Sequence, residues 1–196
     1  MSVPDVLVVG GGCAGLFAAI AARLQGLDCL VLEVEPRLGG GTAISSGLLW
    51  VGNNPLQPPG DSPEAVRAYL SYVAAGAANA ARMEAFARTA PEAVRTFQNA
   101  GIPFRVSPRL DHYGMAPGAR SGRRILDTPP VDAAILGDWS ERVAVPAGRL
   151  HRLGASELVT LGGANSPAAW DAAAVLERTR PTQRGSGAGL MVWLVA

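Results

Sequence analysis

The chain has 196 residues, enough for one domain or one domain with an appendage, and a formal net charge of +1. So near-neutral a balance builds no global field for nucleic acid or an anionic membrane surface. All 17 basic residues are Arg, which excludes lysine nucleophiles and Schiff-base chemistry. Cys13 and Cys29 make neither a disulfide framework nor a metal-ligand spacing, so reduced thiols in a cytoplasmic protein are expected. The apolar start lacks a basic n-region and is broken by glycines, unlike a signal peptide. No uncharged apolar run reaches membrane-spanning length.

Along the chain, Asp5-Val6-Leu7-Val8-Val9 is apolar without polar alternation, which predicts a parallel strand covered on both faces. Gly10-Gly11-Gly12-Cys13-Ala14-Gly15 follows, then a helix from about Ala14 to Gln25 carrying Leu16, Phe17, Ile20 and Leu24 and stopped by Gly26. A second strand, Cys29 to Leu32, ends at Glu33, and a second glycine turn follows at Gly39-Gly40-Gly41-Thr42. Ser62 as N-cap, Pro63 in the first turn and Glu64 beside the dipole open a helical region. Its helices are expected over Ala65–Ala77, Ala80–Thr89 and Pro91–Ala100; Gly101 closes the last, and Ile102 to Val106 is extended. Leu161 to Pro167 reads as loop, and Ala168 to Arg178 as a helix.

The first of these turns carries a chemistry. Gly10 permits the tight exit from the strand, Gly12 lets the backbone approach a pyrophosphate, and Gly15 lets the helix pack close. The first-turn N–H groups, at Cys13 and Ala14 among others, then face the phosphates together with the positive end of the helix dipole. Glu33, 23 residues after Gly10, can accept hydrogen bonds from both ribose hydroxyls and would repel a 2′-phosphate, which favours FAD or NAD over NADP.

The run from Pro36 through Gly39-Gly40-Gly41-Thr42-Ala43-Ile44-Ser45-Ser46-Gly47 to Trp50-Val51-Gly52-Asn53-Asn54 resembles the FAD-binding family of fumarate reductase and succinate dehydrogenase flavoproteins and 3-ketosteroid Δ1-dehydrogenases. It is most similar to the ketosteroid side, and Asp61 to Ala65 and Asp111-His112-Tyr113 through Arg124 continue the likeness. The resemblance implies an α/β fold: a Rossmann-like FAD-binding parallel sheet at the N-terminus with a helical, loop-rich extension. It implies FAD held by Gly10, Gly12, Cys13, Ala14, Gly15, Glu33, Gly40, Gly41, Thr42 and Ser45. It also implies a substrate-side aromatic hydroxyl at Tyr113, with His112 the other match. The activity implied is a dehydrogenase or reductase of CH–CH groups, moving hydride between a carbon of a small-molecule substrate, steroid or dicarboxylate, and the flavin N5. Val34, Ser46 and His112 depart from the usual family residues.

The segments expected are an incomplete FAD-binding part over 1–60, a helical extension over 61–140 and a poorly defined part over 141–196. Arg184 to Ala196 faintly resembles a family segment that returns to the FAD domain. Because family members are much longer, a truncated member is expected. The alternatives are a non-catalytic fragment or degenerate FAD-binding module, and an NAD-binding module. Trp50 is read either as stacking near the flavin or as a core aromatic. Arg120, Arg123 and Arg124 are read as an anion-binding cluster or a solvated loop. Cys13 is read as a small packed side chain, His151 as solvent-exposed, and no metal site is expected.

Overall fold

The structure is a computed structural model that describes residues 3–57, 60–147, 152–163, 168 and 170–196. In chain order the elements are β1 (Val6–Val9), α1 (Cys13–Leu24), β2 (Cys29–Leu32), the single turn α2 (Gly40–Ala43), β3 (Leu49–Trp50), α3 (Pro63–Ala74) and α4 (Ala80–Asn99). Then come β4 (Arg105–Val106), β5 (Ile125–Asp127), β6 (Val131–Asp132), a 3₁₀ segment (Ala133–Arg142) kinked at Gly137, α5 (Ala155–Thr160), α6 (Ala172–Arg178), β7 (Gln183–Arg184) and α7 (Ser186–Val195). They form two compact units, one of residues 1–47 with 128–196 and one of residues 48–127.

In the first unit β1 and β2 pair in parallel, with Val6 opposite Cys29 and Val9 opposite Leu32. Val8 is buried, and its side chain meets the α1 backbone at Gly15. The opposite face differs from the sequence expectation of two covered faces. Leu7 and Val9, with their partners Leu30 and Leu32, are 47–82% exposed. The apolar run reflects a strand built for two layers, while the described residues supply one. The two cysteines, expected in core elements, are unpaired and half-buried.

The rest of this unit gathers on α7, which is apolar all round and buries seven of its ten residues. Val192 packs with Val131 and Ala133, flanked by Leu136 and Trp193, and the Trp193 indole N–H donates to the Pro129 carbonyl at 3.0 Å. A ten-residue helix this apolar is a buried core element. Among the described residues no helix is long and apolar enough to cross a membrane.

The second unit carries a three-stranded antiparallel sheet in the order β3-β5-β4 and the helix pair α3/α4. The Ser62 hydroxyl caps α3 by accepting the Ala65 N–H at 3.2 Å, as its sequence position predicts. Asn79 caps α4 in the same way. The expected break at Pro91 is absent: α4 runs unbroken for 20 residues. Proline there removes one backbone hydrogen bond, yet its ring lies in the buried stripe Ala87, Pro91, Val94 and Phe97. Continuing that stripe buries more apolar surface than a turn would. The 168–178 helix is shorter than expected: it starts at Ala172, where the Asp171 carboxylate caps it.

Candidate dinucleotide site

The two glycine turns of the first unit are joined to each other. The Gly39 N–H donates to the Gly11 carbonyl at 3.0 Å, and the Cys13 N–H donates to Thr42 Oγ1 at 3.1 Å. The Gly10 N–H closes on the Leu32 carbonyl at 2.7 Å, which seats the first turn over the C-terminal end of β2. The residues that spacing groups as a cofactor cradle therefore stand together: Gly10 to Gly15, Glu33, and Gly39 to Thr42. Ser45 joins through its hydroxyl, which donates to the Thr42 carbonyl at 2.8 Å and accepts the Gly47 N–H at 3.0 Å.

The glycines divide into those the protein needs and those it does not. Gly10 has φ +105°, a conformation that side chains disfavour. A Cβ on Gly15 would lie 1.9 Å from the Gly10 carbonyl oxygen, and one on Gly11 would lie 2.4 Å from Leu38. At Gly12, however, a Cβ would meet nothing nearer than the Gly39 oxygen at 3.6 Å. At Gly40 and Gly41 it would meet no protein atom within 4 Å. Glycine at Gly12 and Gly41 thus answers no packing demand inside the chain. Open space over a helix N-terminus is where an anionic ligand fits. Among the α1 first-turn donors Cys13 is engaged by Thr42, while Ala14 and Gly15 have no helical carbonyl behind their N–H groups.

Glu33 follows β2 directly. Its Oε2 accepts the Gly11 N–H at 2.6 Å and its Oε1 the Glu35 N–H at 3.0 Å. The Glu35 bond foremost, then the Gly11 bond, hold its carboxyl below the usual carboxylate range. The Val34 N–H adds a smaller third contribution, and the roughly four lone-pair sites of a carboxylate leave room beside these donors for a ribose hydroxyl. At the second glycine turn an open pocket of about 570 Å³ is lined by Glu35, Pro36, Arg37, Gly40, Glu141 and Ala144. That size lies within the range of small-ligand sites.

Two supports hold this cradle: spacing gave no sign of the first, while the likeness of Arg184 to Ala196 to a returning family segment anticipated the second. Leu38 forms a parallel bridge with Val143; the Leu38 N–H donates to the Arg142 carbonyl and the Ala144 N–H to the Leu38 carbonyl. The N-terminus of α7 packs on α2, with the Gly187 N–H donating to the Ser45 carbonyl at 3.1 Å. A Cβ on Gly187 would lie 1.8 Å from the Thr42 oxygen. In the sequence the matching feature is the small-residue run Gly185-Ser186-Gly187-Ala188-Gly189, which caps and opens α7.

The remaining candidates lie in the second unit. Trp50 stacks on Tyr69 at 5.3 Å and Phe86 at 6.3 Å, and its indole N–H donates to Asp111 Oδ1 at 2.8 Å, which is the core-aromatic role. Arg124 is neither a solvated loop residue nor open to an anion, because it is fully buried between Asp61 and Asp111. Burial works against the Asp61 charge, but the Arg124 guanidinium and the Asn53 N–H outweigh it and hold that carboxyl below its ordinary value. His112 and Tyr113 are exposed. His151 lies outside the described residues.

A family model for an FAD binding domain matches residues 5–196. The chain belongs to this FAD-binding family. Its curated relatives include a 4-oxocyclohex-2-ene-1-carboxylate 5-dehydrogenase of Sinomonas cyclohexanicum, 43% identical over 137 residues, which are 68% of this chain and 23% of that one. A 3-oxosteroid 1-dehydrogenase of Mycobacterium tuberculosis is 38% identical over 139 residues, 68% of this chain and 24% of that one. Among solved structures, the 3-ketosteroid Δ1-dehydrogenase of Sterolibacterium denitrificans, in complex with 1,4-androstadiene-3,17-dione, aligns with a TM-score of 0.81 at 26% identity. The alignment covers 97% of this chain and 38% of that one. The family's cofactor is FAD, and the FAD-binding chain spans about a quarter of the length of the curated relatives it matches.

Proposed function

We propose that this chain holds FAD across its two joined glycine turns and serves a dehydrogenase that desaturates a CH–CH bond beside a ring ketone. The observation that carries the binding part is the pair of glycines, Gly12 and Gly41, whose missing Cβ atoms leave space that no protein atom fills. In this reading Gly10 and Gly15 shape the first turn. Gly12, Cys13 and Ala14 line the pyrophosphate, Glu33 takes the ribose hydroxyls, and Gly40, Gly41, Thr42 and Ser45 line the far side. Bound FAD would supply the electron-pair acceptor. The named relatives act on cyclic ketones, which supports a ring ketone over a dicarboxylate as substrate class.

Tyr113 is assigned the substrate-side hydroxyl, the residue being 56% exposed and so open to a ligand. The unpaired thiols support a cytoplasmic location, and the near-zero net charge argues against nucleic acid as partner. The exposed face of Leu7, Val9, Leu30 and Leu32 favours one second reading, a flavin-binding module without turnover of its own.

The test is a visible spectrum of the purified chain after desalting, followed by anaerobic addition of a 3-oxosteroid or a 4-oxocyclohexanecarboxylate. Retained flavin bands that bleach with the ketone support the proposal. Bands that stay oxidised support the module reading, and a colourless chain refutes both.

A further inference from the structure

The second unit buries a charge network that the cofactor site does not use. Asp61 receives Arg124 in a fork, Nη2 to Oδ1 at 2.6 Å and Nε to Oδ2 at 2.9 Å. The third guanidinium nitrogen, Nη1, donates to Asp111 Oδ2 at 3.1 Å. Both carboxylates and the guanidinium are at most 1% exposed. Arg120 approaches Asp61 at 3.6 Å, so two arginines face two aspartates and the charge balances. A buried ion network of this kind adds little stability over a well-packed apolar core, and its value lies in the geometry it imposes.

What it imposes is the loop from Asp111 to Arg120. Asp111 Oδ2 also accepts the Arg120 N–H at 2.9 Å, and the Asp111 N–H points back at the Arg120 carbonyl at 3.4 Å, so the loop is clamped at its ends. Inside it, the Ala116 N–H donates to Tyr113 and the Ala119 N–H to Ala116. Gly118, at φ +72°, sits on α3 so closely that a Cβ would lie 2.1 Å from the Ala65 oxygen. Arg124 also lies 5.5 Å from the Trp50 ring and 5.7 Å from the Tyr69 ring. Tyr69 in turn offers its hydroxyl to the Tyr113 N–H at 3.5 Å. The network therefore reaches Tyr113 by two routes, through Asp111 along the chain and through Tyr69 across it.

We propose that Asp61, Arg124 and Asp111 are positioning residues for Tyr113, holding its loop at both ends so that the exposed phenol stands on an ordered backbone. This inference rests on the reading of Tyr113 as the substrate-side hydroxyl. Preorganising a reacting group through buried neighbours is the general requirement it would meet.

The test measures residue-resolved amide exchange in the full chain, with 3-fluorotyrosine ¹⁹F spectra in which Tyr113→Phe assigns the Tyr113 line. In Arg124→Met the amides of Tyr113, Ala116, Ala119 and Arg120 should exchange about a hundredfold faster, the low end expected for breaking a buried pair. The Tyr113 fluorine line should shift, while Val94 and Phe97 in α4 keep their protection. Arg124→Lys, which keeps the charge without the fork, should recover part of both effects. Should Arg124→Met fail to fold, Asp111→Asn gives the same readout, because it keeps an acceptor for Trp50 and removes the charge. Unchanged exchange and an unmoved fluorine line would overturn the proposal, as would loss of protection spread equally over α4. Flavin retention recorded on the same samples keeps the outcomes apart: a colourless wild type defeats the proposed function and leaves the exchange result standing.

Discussion

Gly12→Ala and Gly15→Ala make the same chemical change three residues apart, and the structure assigns them opposite outcomes. At Gly12 the added Cβ makes ordinary contacts, 3.6 Å to the Gly39 oxygen and 3.7 Å to Thr42 Oγ1. The backbone there, φ −82° and ψ −177°, accepts any residue. Losing a glycine N-cap costs about 0.5–1 kcal/mol, and a stiffer unfolded chain returns about 0.4–1 kcal/mol. The melting temperature should therefore move by no more than about 2–4 °C. The methyl group does occupy the space over the loop, so FAD affinity should fall at least tenfold, about 1.4 kcal/mol. At Gly15 the added Cβ lies 1.9 Å from the Gly10 oxygen and 3.2 Å from Val8 Cγ1. The obstacle there is the backbone of the first glycine turn, so α1 must lift away from it at a cost of about 1–3 kcal/mol or more. Thermal melts without ligand and titration of flavin fluorescence read the two quantities separately. The reasoning is refuted if Gly12→Ala binds FAD within about threefold of wild type, or if Gly15→Ala melts with wild type.

Three further outcomes follow from the same geometry. Glu33→Gln should lower FAD affinity about tenfold, because a neutral amide replaces a charged acceptor. Its stability deficit should be present above the ordinary carboxylate range and vanish as pH falls through the depressed Glu33 value, checked by melts across acidic pH. Asp61→Asn should cost the second unit about 3–5 kcal/mol at neutral pH by leaving Arg124 half-paired in a buried site. Since the Asp61 carboxyl is held below its ordinary value, that cost should likewise shrink only on acidification, as urea melts at two pH values would show. Gly187→Ala should push α7 off α2, since its Cβ would meet the Thr42 oxygen at 1.8 Å. Faster limited proteolysis near residue 185 and weaker FAD binding should appear together.

Much of the cradle was legible because its rules are local. Gly10 needs a positive φ, Gly15 needs contact with the preceding strand, and Glu33 needs to end the next one; each follows from spacing alone. The capping of α3 by Ser62 is local in the same sense. Pro91 misled because a helix break is a local preference, and burial of the Ala87–Phe97 stripe is a tertiary gain that overrides it. Arg124 misled for a related reason. A Gly- and Ser-rich neighbourhood resembles a solvated loop, and the two aspartates that bury Arg124 lie 13 and 63 residues away.

By itself the sequence determined that this chain would build a strand, a glycine turn, a helix and an acid-ended strand in that order, the order that a dinucleotide cradle requires. These are short-range demands of backbone conformation and hydrogen bonding. The family likeness of Arg184 to Ala196 pointed to a return of that segment; only the tertiary structure decided that Leu38 bridges Val143 and that α7 seats its N-terminus on the second glycine turn. It also decided that the loop carrying Tyr113 hangs from a buried Asp–Arg–Asp network. Both depend on which distant surfaces exclude water together, and no window of local spacing contains that information.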